Sequence, residues 1–214
     1  IRKPAGDFNR KSLNLHHGLN ITDEFMIAVR DDLPFALRSP KNQEVLKHVN
    51  ARKLWQKILE MRLQTGEPYI IFSDTVNKQM PKHQRDLGLK VRQSNLCSEI
   101  MLHTGMDHNG RERTAVCCLS SLSAETFLEW EKEPQFLEDV FRFLDNVLED
   151  FIARAPPEME RAVYAAMRER SVGLGLMGYH SFLQSQGVPM ESAMAKVWNN
   201  RMFRHIRRGA DAAS

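Results

Sequence analysis

"QSNLCSEI", residues 93–100, sets Asn95, Cys97 and Glu99 at every second position. An extended backbone repeats its side-chain direction every two residues. On a stretched chain an amide, a thiol and a carboxylate would therefore share one face, while Leu96 and Ser98 point away. A helix would instead carry successive members of the trio about 200° around its axis. The expectation is an extended segment whose shared face is a site; the competing reading is a half-buried strand with an ordinary cysteine. The chemistry separates the two. A carboxylate beside a thiol disfavours the thiolate, and no base-histidine pattern lies nearby to relieve that, so the trio makes a poor nucleophile. A neutral thiol held by an acid and an amide suits hydrogen-atom chemistry instead.

Working outward, "PYIIFSD" (68–74) is a compact apolar run with β-branched and aromatic residues and predicts a buried strand. Before it, "NARKLWQKILEMRLQTG" (50–66) has Leu54, Ile58, Met61 and Leu63 near helical spacing, with Gly66 where a C-cap belongs. "ITDEFMIAVRDD" (21–32) predicts a short helix capped by Thr22 or Asp23, and "DLPFALRSPKN" (32–42) a strand or loop. Residues 1–12 are basic and read as irregular. The polar stretch 75–90, broken by Pro81 and Gly88, reads as loop, and "HTGMDHNGRERT" (103–114) as a turn region.

Further on, "AVCCLSSLS" (115–123) predicts a short strand. The clearest helix is 136–155, with a stripe of Val140, Leu144, Val147, Leu148, Phe151 and Ile152, ended by Pro156 and Pro157. A second helix (157–170), a strand or tight turn (171–178), a short helix (179–187) and a closing amphipathic helix (191–213) follow. Strands alternating with helices predict an α/β arrangement with largely buried strands, taken as one domain over residues 1–214.

The chain has 214 residues, 42% hydrophobic and 27% charged, which suits a globular domain and argues against disorder. Its net charge of +3 does not imply nucleic acid. No apolar run approaches the roughly 20 residues of a membrane helix. Three cysteines, Cys97, Cys117 and Cys118, form no disulfide framework and no metal spacing, which points to a reducing cytoplasm and no bound metal. The absence of Cys-x-x-Cys disfavours a thiol–disulfide oxidoreductase. The chain opens at Ile1 and stops at "GADAAS", and reads as a piece of something longer.

Two other stretches invite chemistry and are set aside. Gly173, Gly175 and Gly178 in "GLGLMG" match G-x-G-x-x-G by letter, but a charged helical segment precedes them and position 198 is Trp, not an acid. They read as glycines for close strand-to-helix packing. "RMFRHIRR" (201–208) reads as a solvated helix face rather than a nucleic-acid surface.

Taken together, "RQSNLCSEI", "TAVCCLSSLS" and "RERSVGLGLMGYHSFL" resemble, in order and spacing, successive signatures of the large catalytic subunit of ribonucleotide reductase. "NLHHGLNITDEFM" and "TGEPYIIFSD" add weaker matches, so the resemblance runs over nearly the whole chain. Leu96 resembles the aerobic class I branch. The resemblance implies part of a ten-stranded α/β barrel of parallel strands in two halves, with 93–100 at the tip of a central finger loop.

It further implies that Cys97 is the thiyl radical that removes the ribose 3′ hydrogen. Glu99 would take the 3′-hydroxyl proton, Asn95 would bond the substrate hydroxyls, and Cys117 would be one of two thiols supplying reducing equivalents. Cys118, on the opposite face of a strand, would be a packing cysteine. No cofactor is expected on this chain: a metal-containing small subunit would supply the radical, and nucleotide effectors (ATP, dNTPs) would bind elsewhere. The implied partners are a ribonucleotide, that small subunit, the remaining segments of the large subunit, a thioredoxin- or glutaredoxin-type reductant and a second large subunit. Neither nucleic acid nor membrane is expected. The second reducing cysteine would lie upstream, and the phosphate loop, radical-relay tyrosines and mobile C-terminal thiols downstream, so the chain should not turn over alone and should associate or aggregate. The alternative from another class is a non-catalytic α/β interaction module whose cysteines are merely buried.

Overall fold

A computed structural model describes residues 15–214; the irregular segment expected at 1–12 lies outside them. The chain divides into two compact units, one ending at Glu112 and the other spanning Arg113–Ser214.

In the first unit β1 (Gly18–Ile21) runs into α1 (Asp23–Arg30) through Thr22, whose Oγ1 accepts from the Phe25 amide at 3.2 Å. This satisfies one of the donors that a helix start leaves open. β2 (Pro34–Arg38) and β3 (Val45–Asn50) form an antiparallel hairpin with an irregularity between Leu37 and Arg38. Asn50 then caps α2 (Ala51–Thr65), and Gly66 ends it in the left-handed conformation at φ 75°. A side chain at that φ would be strained, which is why the cap is glycine.

β4 (Tyr69–Phe72) returns parallel to β1, in register Gly18↔Tyr69 to Ile21↔Phe72. Ile21, Phe25, Ala28, Val29 and Ala51 form the core between them, with Phe25 meeting the Phe35 ring edge-on at 5.0 Å. The helices α3 (Ser73–Gln79) and α4 (Lys82–Asp86) and the two-residue strands β5 (Gly105–Met106) and β6 (Glu112–Arg113) complete the elements up to the boundary.

Two expectations are corrected here, and one strand was not anticipated. Residues 75–90 are not loop throughout. Val76 and Met80, four apart, join Leu89 and Val91 in a small cluster, and one turn of apolar spacing is enough to hold a short helix. The strand at 69–72 is half-buried rather than buried, with Phe72 44% exposed. The hairpin strand β3 falls in a stretch that carries no clear strand pattern.

In the second unit β7 (Cys118–Ser123) and β8 (Val172–Met177) pair in parallel over six residues, Cys118↔Val172 to Ser123↔Met177. The connection carries α5 (Phe127–Trp130), α6 (Phe136–Arg154) and α7 (Glu160–Glu169); α8 (Tyr179–Ser185) and α9 (Ala193–Ala213) follow β8. Phe127, Phe182, Leu183, Met202, Trp130 and Leu137 form the centre of the core. Leu144 and Leu148 of the predicted stripe are buried, whereas Val147 is exposed. Gly209 lets α9 meet α6 closely: a Cβ there would sit 2.5 Å from Leu137 Cδ1. The basic run on α9 is partly tied down, because Arg201 pairs with Glu131 and lies over the Trp198 ring at 5.0 Å. The strands are not largely buried as expected, because one face of the β7–β8 pair packs on this core through Leu122, Leu174 and Leu176 while the other stays open.

Candidate active site

The segment around Cys97 is not extended. Residues 95–98 form a tight turn in which the Ser98 amide donates to the Asn95 carbonyl at 3.2 Å, and Ser98 takes φ 70°. Alternation therefore does not align the trio. A different device joins two of its members: Asn95 Nδ2 donates to Glu99 Oε1, and Asn95 Oδ1 accepts the Ile100 amide at 3.0 Å. The amide of Asn95 bridges the base of the turn, and Cys97 rides at its tip, exposed. Amide and carboxylate are brought together by chain reversal, with the thiol between them in sequence. Leu96, at 56% exposure, also stands free of any core.

The stem of this turn is anchored by side chains from three directions. Asn20 of β1 donates to the Arg92 carbonyl at 2.9 Å. Asn77 of α3 binds both backbone groups of Val91. His103, on the returning chain, takes the Lys90 amide on Nδ1 at 2.9 Å, while its buried Nε2 has no hydrogen-bond partner in the structure. The sequence reading identified none of these three. Each partner is remote in the chain, and no local pattern announces it.

Against one face of the β1–β4 pair the loop encloses a cavity of about 310 Å³, lined among others by Asn20, Tyr69 and Ile71 from the strands and by Ser94, Asn95 and Leu96 from the loop. His16 also lines it, and its Nδ1 is 2.9 Å from Glu67 Oε1, with His17 at 3.3 Å from the other oxygen. Glu67 is buried, and its two carboxylate oxygens meet the two rings, of which His16 lies at the cavity. The sequence reading missed this cluster as well.

In the second unit Cys117 and Cys118 fall on opposite faces, as strand alternation requires. Cys118 begins β7, and burial pushes its thiol pKa up. Cys117 lies with Leu119 over Gly173: a Cβ on that glycine would come 2.4 Å from Leu119 Cδ2 and 3.4 Å from Cys117 Sγ. Gly173 and Gly175 are thus strand residues on the open face, beside Leu119 and Met177 at 56% and 57% exposure. Gly178, at φ 74°, makes the strand-to-helix turn. Only the last of the three glycines is a turn; the first two give room on the face that carries Cys117. In the same unit Arg113 and Glu169 form a buried ion pair, and Arg113 lies over the Tyr164 ring at 5.4 Å.

Cys97 is exposed, and Cys117 and Cys118 are half-buried. Among the described residues no cluster of His, Cys, Asp and Glu could hold a metal, and no helix is long and apolar enough to cross a membrane.

The comparisons with known proteins agree with one another. A Frog virus 3 (isolate Goorha) protein carrying a ribonucleoside-diphosphate reductase large-subunit name is 46% identical over 217 residues, covering 100% of this chain and 37% of that protein. The ribonucleoside-diphosphate reductase large subunit of Invertebrate iridescent virus 3 is 37% identical, covering 96% of this chain and 40% of its own length. The chain thus spans about two fifths of these relatives. Among solved structures, the Actinobacillus ureae class Id ribonucleotide reductase alpha subunit superposes with a TM-score of 0.77 at 31% identity, over 93% of this chain and 35% of that one. The family model described as "Ribonucleotide reductase, barrel domain" matches residues 1–214, and the chain belongs to that family, as a stretch of the α/β barrel of a large subunit.

Proposed function

We propose that this chain carries the thiol-bearing loop and one redox thiol of a ribonucleoside-diphosphate reductase, which converts ribonucleotides to 2′-deoxyribonucleotides. The observation that carries the reading is the turn at 95–98, which offers Cys97 at an exposed tip with Asn95 and Glu99 linked at its base. In this reading Cys97, as a thiyl radical, takes the 3′ hydrogen of the ribose. Glu99 accepts the 3′-hydroxyl proton, and Asn95 bonds the substrate hydroxyls while orienting Glu99. The 2′-hydroxyl leaves as water, and Cys97 and Glu99 then return the 3′ hydrogen and the 3′-hydroxyl proton to the product, which regenerates the thiyl radical. Cys117 and a second thiol elsewhere in the large subunit lose two hydrogens and close to a disulfide, which balances the two-electron reduction. Holding acid, amide and thiol against one sugar supplies several kcal/mol through orientation and proton transfer.

Family membership supports the remaining parts of the reading. A metal-containing small subunit supplies the radical, nucleotide effectors bind other segments, a thioredoxin- or glutaredoxin-type protein re-reduces the disulfide, and large subunits pair. The free cysteines suit a reducing cytoplasm.

The test is Cys97→Ser in the full-length large subunit assembled with its small subunit. Serine is close in size and the site is exposed, so folding should be unchanged while nucleotide reduction falls to background. A variant that still reduces ribonucleotides at a measurable fraction of the parent rate would refute the assignment.

A further inference from the structure

The backbone entering the Cys97 turn belongs to no sheet ladder, yet Val91 is held as firmly as a strand residue. Asn77 Nδ2 donates to the Val91 carbonyl at 2.9 Å, and Asn77 Oδ1 accepts the Val91 amide at 3.0 Å. The side-chain amide stands in for one rung of a paired strand. The same Nδ2 also reaches the Ser73 carbonyl at 2.8 Å, so both donors of the amide are used and its plane is set by α3 itself. Val91 is buried against Met80 and Leu89, and it precedes Cys97 by six positions.

Asn20 makes one bond, to the Arg92 carbonyl, and His103 Nδ1 lies within reach of both the Lys90 amide and the Lys90 carbonyl but, as a single ring nitrogen, serves one of them in either tautomer. Of the three, Asn77 satisfies both polar groups of its residue at once, through two different atoms. A reciprocal pair of this kind fixes register along the chain, where a single bond fixes only approach.

Resting on the reading of Cys97 above, we propose that Asn77 is a positioning residue for the radical thiol: it sets the register of the loop at Val91 and thereby aims Cys97, without touching substrate. Removing it leaves a buried amide and carbonyl to find other partners, which requires the stem to shift. Misplacement of a reacting group by about 1 Å costs on the order of 10²-fold in rate.

The experiment uses the full-length large subunit with its small subunit and compares Asn77→Ala, Asn77→Asp and Cys97→Ser. Aspartate keeps the acceptor for the Val91 amide and loses both donor bonds. The expected result is graded. Asn77→Ala lowers kcat per folded molecule by about ten- to a hundredfold and speeds hydrogen exchange at the Val91 amide. Asn77→Asp loses less, and exchange at β1 and β4 is unchanged in both. A purely structural role would lower the melting temperature and leave kcat per folded molecule alone. If Asn77→Ala does not fold, Asn77→Asp decides. Wild-type kcat in the aspartate variant, with or without faster exchange at Val91, overturns the proposal. An inactive Cys97→Ser beside fully active Asn77 variants would sink only this inference, whereas an active Cys97→Ser would remove the reading on which it rests.

Discussion

The two candidate thiols are held in opposite ways. Cys97 sits on an irregular turn whose geometry is imposed by side chains reaching in from Asn20, Asn77 and His103. Cys117 sits at the entrance to a regular strand whose geometry comes from backbone pairing with β8, and Gly173 leaves room beside it. A loop clamped at its stem can project one group beyond any sheet surface, free of lateral neighbours. A strand presents its side chains on a face, close enough to exchange with a partner lying on that same face. In the proposed chemistry a radical thiol needs the first arrangement and a disulfide-forming thiol the second.

The sharpest way to break this contrast is to exchange the roles of the adjacent cysteines at the start of β7. In the full-length enzyme Cys117→Ser should stop multiple turnover with a protein reductant, while Cys118→Ser should keep the rate and cost about 1–2 kcal/mol of stability by placing a hydroxyl on the packed face. Steady-state assays and urea denaturation would separate the two, and the opposite pattern would reverse the assignment. The pH behaviour adds to this. Burial raises the Cys118 thiol, so the folded state keeps that proton longer than the unfolded chain. Its contribution to stability is therefore complete below the ordinary thiol pKa and is lost as the pH rises through the folded value.

A smaller effect is expected at Gly173→Val. The new Cβ would meet Leu119 and crowd Cys117, costing about 1–3 kcal/mol by overpacking. Alkylation of Cys117 should slow at the same time, and unchanged stability together with unchanged alkylation would show that the glycine is not there to make room.

The smallest effect belongs to the turn. Ser98 pays for a left-handed conformation that glycine adopts freely, so Ser98→Gly should change stability by less than about 1 kcal/mol, in the stabilising direction. A loss of more than that amount in thermal denaturation would mean the serine side chain makes up for its backbone.

Much of the fold was legible because its signals are local. Thr22, Asn50 and Gly66 announce helix ends through bonds that span three or four residues. The stripe on α6 declares its buried face, though Val147 lies at the edge of it and stays exposed. The difference between Cys117 and Cys118 follows from the period of a strand. The turn at 95–98 was not legible, because an alternating pattern of polar groups is compatible with a pleat and with a reversal. Nor was the hairpin strand β3, whose side chains are mostly exposed and so carry no burial pattern.

The amino-acid order by itself determined the family, the helices with their caps, and which residue types stand at the candidate site, since each depends on neighbours within a turn or on a motif read in line. Tertiary structure alone decided what lies over Cys117 and how the stem of the thiol loop is gripped. The stem's partners sit 13, 14 and 72 positions away. A hydrogen bond across such distances leaves no periodic trace in the chain and exists only once the strands and helices have packed.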